Sequence, residues 1–104
     1  MNCKPGDLAI VVFAKIRPEL MGTIVEIVGR AFNGDEFSSI KGRRFRASGI
    51  PDGIIWRIKL SRPLRVSAPD GTSHYFTEVT MPDTRLRPVS GLPIDEEVIH
   101  EVRA

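Results

Sequence analysis

The sequence predicts an all-β domain, a small barrel of five or six short antiparallel strands. Three observations predict it. Apolar runs at Leu8–Phe13 and Thr23–Val28 are rich in β-branched residues and too short for ordinary helices. Strict alternation follows at Ile54–Leu60, with Ile54, Trp56, Ile58 and Leu60 on one face and Ile55, Arg57 and Lys59 on the other. Turn sequences built from Gly, Pro, Asn and Asp punctuate the chain up to residue 91.

A chain of 104 residues makes one domain. The first strand is opened by Pro5-Gly6-Asp7, whose ring and glycine supply turn chemistry. After Phe13 the residues Lys15, Arg17, Pro18 and Glu19 mark a loop, and Gly22 permits a bend before the second strand. Residues 30–53 form a long basic loop rich in turn signals, such as Asn33-Gly34-Asp35 and Pro51-Asp52-Gly53. Within it Phe37–Ile40 and Arg44–Arg46 are candidates for a partial hairpin.

The strand at Ile54–Leu60 comes next, with Trp56 read as a core residue because it alternates in phase with its apolar neighbours. Leu64–Ser67 and His74–Val79 then form a hairpin around Ala68-Pro69-Asp70-Gly71. Pro82–Arg85 suits a short 3₁₀ turn, and Leu86–Val89 a last strand that Pro88 confines to an edge. Residues 1–90 are therefore the barrel, and residues 91–104 an acidic C-terminal tail or short helix. Pro93 fits a first helical position, Asp95, Glu96 and Glu97 its first turn, and Ile94, Val98 and Val102 an apolar stripe.

Two sets of residues carry a resemblance. Gly6-Asp7 before Leu8–Val12, with Gly22 before Thr23-Ile24-Val25, resembles the opening of SH3-like and KOW-type barrels. The fuller layout adds Cys3-Lys4-Pro5, Trp56 in a central strand, Pro82-Asp83 and Leu86-Arg87-Pro88-Val89. Over residues 3–90 it is similar to small proteins of bacterial phages and prophages. The resemblance implies an SH3-like barrel and leaves function open, because such barrels host unrelated activities.

Chemistry is sparse. Cys3 is the only thiol, which leaves no internal disulfide and no multi-cysteine metal site. His74 and His100 stand far apart with no ligand at metal spacing, so no metal site is expected. Gly42-Arg43-Arg44-Phe45-Arg46 lacks the spacing of a phosphate-binding loop. The acidic pairs Asp35-Glu36 and Asp95-Glu96-Glu97 read as solvated surface. The expectation is a protein that is not an enzyme, with no catalytic residue and no cofactor. The single cysteine, the absence of a signal-peptide pattern and apolar runs far below membrane-spanning length lead to the expectation of a cytoplasmic protein away from membranes, and the phage resemblance implies a bacterial host.

Charge is the one uneven feature. Between Lys41 and Arg65 eight basic residues face a single acid, Asp52, although the whole chain carries only +2. The candidate binding residues are Lys41, Arg43, Arg44, Phe45, Arg46, Arg57 and Lys59. Arginines can pair with phosphates while Phe45 stacks on a base. The plainer reading is a solvated basic loop whose charges are met by water and by Asp35, Glu36 or the tail. Three functions are consistent with this. The first is an interaction module of phage or prophage origin that meets a protein partner through an edge strand, the loop or the tail. The second is a nucleic-acid-binding module using residues 41–46 and 57–59. The third is a structural component of a virion.

Overall fold

The computed structural model describes residues 2–15 and 17–89; the expected tail or helix at 91–104 lies outside the described residues. The described chain is an antiparallel all-β domain. Its strands are β1 (Leu8–Val11), β2 (Ile24–Arg30), β3 (Glu36–Ser38), β4 (Arg44–Arg46), β5 (Ile55–Ser67), β6 (Ser73–Pro82) and β7 (Leu86–Pro88). Five of them form one sheet in the order β6-β5-β2-β1-β7, and β3 pairs with β4 in a separate ribbon. Short 3₁₀ turns occupy Pro18–Leu20 and Asp83–Arg85.

The strands are less uniform than the sequence suggests. The two segments expected at Ile54–Leu60 and Leu64–Ser67 belong to one strand, β5, of 13 residues. The break expected at Ser61-Arg62-Pro63 is instead a register shift between Lys59 and Leu64. Pro63 has no N–H to give the ladder, so the chain steps around it while staying extended. The basic loop is also not a free excursion, since β3 and β4 lie inside it and place Phe37 opposite Phe45.

One device closes both hairpins. In the β5–β6 turn Gly71 donates to Ala68 O and Ala68 donates to Thr72 O. In the β3–β4 turn Gly42 donates to Ser39 O and Ser39 donates to Arg43 O. Gly71 and Gly42 have φ of 87° and 90°, a conformation that side chains resist, which is why glycine occupies both corners.

Alternation sorts the sheet into two faces. Ala9, Val11, Val25, Ile27, Trp56 and Ile58 are buried in one cluster. Leu8, Val12, Ile24 and Val28 alternate with them and stay exposed. Met81 near the end of β6 and Leu86 at the start of β7 belong to the same cluster. Counted through the sheet, those two strands are four spacings apart, about 19 Å if the sheet were flat. The chain from Pro82 to Leu86 reaches at most about 14 Å even fully extended. The sheet therefore curls until its edges approach, although the hydrogen-bonded ladder between them stays open.

Asp83 pins that approach. Its carboxylate is buried and accepts from Trp56 Nε1 at 2.8 Å, Cys3 N at 2.9 Å and Asn2 N at 2.6 Å. Cys3 is consequently held in the core. Burial by itself would raise the Asp83 pKa, but the Trp56, Asn2 and Cys3 donors outweigh it and hold the carboxyl below its ordinary value. A depressed carboxyl contributes stability above its unfolded pKa and loses it as pH falls through the folded value. In urea unfolding at neutral pH, Asp83→Ala is expected to cost about 3 kcal/mol and Asp83→Asn about half that. The acid-side fall in stability, starting near pH 4, is expected to be shallower in Asp83→Asn. A loss below about 0.5 kcal/mol for Asp83→Ala would remove Asp83 from this role.

Candidate functional site

The β3–β4 ribbon lies against β6 and encloses most of the residues singled out by charge. Strand alternation puts Phe37 and Phe45 side by side on one face of the ribbon. Phe45 meets His74 at 4.8 Å and Phe76 at 5.5 Å, both at steep interplanar angles. These are favourable aromatic arrangements that fix the ribbon over β6. At its tip Ile40 N donates to Tyr75 O at 2.8 Å, one strand-like bond to the outer edge of β6.

Arg57 is the fastener at the other end. Its Nε donates to Glu78 at 2.8 Å, its Nη2 to Glu36 O at 3.0 Å, and its Nη1 lies 3.9 Å from Asp35. The guanidinium also sits 4.1 Å from the centre of the Phe37 ring. One planar cation thus joins β5, β6 and the ribbon, a geometry that an ammonium group could not reproduce. Arg57 is spent inside the fold.

The other candidates divide. Arg43 pairs with Asp70 at 3.3 Å and lies 5.2 Å over Phe45, while Arg44 comes within 3.8 Å of Glu36. Thr72, through its hydroxyl and its N–H, and then Arg43 hold the Asp70 carboxyl below its ordinary value. Lys59 stands in register between Glu26 and Glu78 on the open face of the sheet. Lys41 and Arg46 are exposed, and among the described residues neither has an acidic partner within 4.0 Å. The structure therefore gathers Lys41, Arg43, Arg44, Phe45 and Arg46 on the ribbon, sets Arg57 beneath it and leaves Lys59 apart.

The ribbon and β6 do not meet along their full length. A groove of about 230 Å³ opens between them, with Phe37, Phe45, Ala47, Ile50, Val66, Phe76 and Val79 as its apolar lining and, among the described residues, Arg46 and Glu78 as its ionisable lining. A second hollow of about 290 Å³ continues it past Phe45 and Phe76 to Pro69. Sequence reasoning found Phe45 and Arg46 but missed the apolar wall. The available signal was the alternation of Phe76 with its neighbours and the placement of Phe37 opposite Phe45.

Elsewhere the chemistry is subdued. Burial, with Asp83 and then Asp7 nearby, pushes the Cys3 thiol above its ordinary pKa, which disfavours a reactive thiolate. Among the described residues no three His, Cys, Asp or Glu side chains converge as metal ligands, and no helix is long and apolar enough to cross a membrane.

Removing the fastener tests the arrangement. Arg57→Met keeps much of the apolar stem but loses the hydrogen bonds, and is expected to cost about 1–2 kcal/mol. Amide exchange is expected to quicken about tenfold or more across residues 36–46 and to stay slow in β2 and the proximal half of β5. Uniform acceleration would show that the ribbon and sheet open together. Comparison with known protein families, curated proteins and solved structures finds no match to this chain.

Proposed function

We propose that this chain is a non-enzymatic interaction module, an SH3-like barrel whose added ribbon holds open an apolar groove for a protein partner. Two observations support the barrel. The opposite edges of the five-stranded sheet share one core, and a three-residue turn links them. The likeness of residues 3–90 to small phage and prophage proteins points the same way.

The groove carries the functional reading. Seven apolar side chains line a cleft that is open to solvent, and a domain of this size gains stability by burying such surface rather than exposing it. Polar groups sit at its margin, as in interfaces where an apolar anchor enters a pocket ringed by charge. A protein partner supplies such an anchor.

Nucleic acid fits less well. Phe45, the proposed stacking platform, already packs against His74 and Phe76 and lies under Arg43, which leaves little free ring for a base. Arg43, Arg44 and Arg57 answer to Asp70, Glu36 and Glu78. The local positive charge read from sequence is thereby much reduced in space.

Selection of random dodecapeptides on the immobilised chain tests the proposal. Binders are expected, and Ser48→Trp, which fills the groove from an exposed position, is expected to weaken them at least tenfold. Mixed single- and double-stranded oligonucleotides at low salt are expected to leave the amide resonances of residues 41–46 in place. Shifts there that weaken linearly with log salt, at roughly −0.7 to −0.9 per phosphate contacted, with no peptide binder, would transfer the module to nucleic acid.

A further inference from the structure

The main-chain phase of β6 specifies how the groove is filled. Two hydrogen bonds fix it. Ala31 N donates to Ile55 O at 2.8 Å, and Asp83 N donates to Ile54 O at 2.9 Å. Successive residues of β5 thus turn their main-chain groups alternately to β2 and to β6. Trp56 and Ile58 follow Ile54 in facing β6, where they oppose Met81 and Val79. The residues between, Thr80 and Glu78, then direct their N–H and C=O groups away from the sheet. Among the described residues no hydrogen bond from outside the ladder reaches these groups. Both residues line the groove.

An unpaired strand edge is ordinarily guarded. The opposite edge, β7, is three residues long and ends in Pro88. On β6 the ribbon covers Tyr75 through Ile40 N, and Pro82 lacks the N–H that would extend the edge further. Glu78 could act as a guarding charge, but its carboxylate is held 2.8 Å from Arg57 Nε and is neutralised there. The stretch from Glu78 to Thr80 is left open between two blocked ends.

We infer that this stretch takes an extended peptide as an added β-strand, with apolar residues at alternate positions and acidic residues beside them. The inference rests on the groove being the partner site. A strand docked on β6 lies about 4.8 Å from it and satisfies the free groups of Glu78 and Thr80, while every second side chain enters the groove. The acidic preference follows from charge complementarity. Arg46 lines the groove and Lys41 stands on the same ribbon, and among the described residues neither has an acidic partner within 4.0 Å. Main-chain bonds hold the peptide, alternate apolar side chains set its register, and the arginine end sets its direction.

The test uses the tightest dodecapeptide enriched from the random library, fluorescein-labelled, and fluorescence anisotropy with the full chain. Single N-methylation along the peptide is expected to weaken binding at least tenfold at alternate positions and by less than threefold between them. Thr80→Pro removes an outward N–H without touching the ladder, and is expected to weaken binding at least tenfold with the far-ultraviolet spectrum retained. Arg46→Glu is expected to weaken acidic binders about tenfold. If Thr80→Pro does not fold, the N-methyl pattern alone decides. A peptide that is excluded by Ser48→Trp but shows no alternation under N-methylation would overturn strand addition and leave the groove reading standing. Failure to enrich any peptide sensitive to Ser48→Trp would overturn both.

Discussion

Asp83 sits where the chain leaves one edge of the five-stranded sheet for the other, and its buried carboxylate draws two remote segments to that place. Trp56 brings the start of β5, and Asn2 and Cys3 bring the start of the chain. Each donor compensates part of the cost of removing a carboxylate from water, and bonds to an ionised acceptor are about twice as strong as neutral ones. The indole could not be buried with its N–H unpaired, nor the carboxylate without its donors. The two conditions satisfy each other. With the turn pinned in this way, β7 is delivered beside β1, and the sheet curls around one apolar cluster.

Curling explains why the ribbon matters. A sheet bent tightly enough to bring its edges together covers one face well and leaves the far end of its longest hairpin projecting. The β5–β6 pair extends beyond the register shift at Lys59 and Leu64, where β2 no longer accompanies it. That distal end needs its own cover, and Phe37 and Phe45 provide it. The cover is partial, because a ribbon of three-residue strands cannot occlude the whole length of β6.

The sequence disclosed those features whose causes lie within a few residues of one another. Alternation at Ile54–Leu60 marks a half-buried strand, and Pro69-Asp70-Gly71 marks a turn through ring geometry and a positive φ at glycine. The same turn at Ser39–Gly42 was harder to read, since only Gly42 signals it and Ile40 and Lys41 carry no turn chemistry. Asp83 reads as an ordinary turn residue beside proline, because its partner Cys3 is 80 residues away. The partners of the charge cluster are hidden for a related reason. A count along the chain sees Asp52 alone among the cations, whereas in space Arg43 meets Asp70 and Arg57 meets Glu78.

Arg57 shows how these long-range pairings bear on function. A cation that would have contributed to a phosphate-binding surface is consumed in tying three strands together, and in doing so it neutralises Glu78. A free glutamate on an edge strand discourages pairing with another chain through the desolvation its charge would suffer. Paired with Arg57, Glu78 offers its main chain without that penalty. The same contact therefore weakens the case for nucleic acid and is consistent with the strand addition we infer at β6. Aggregation through that edge is limited by its brevity, since the Ile40–Tyr75 bond stops a docking strand at one end and Pro82 stops it at the other. If strand addition is the binding mode we infer, an opening only a few residues wide, walled by phenylalanine and bordered by arginine, favours a short segment of defined register over indiscriminate sheet growth.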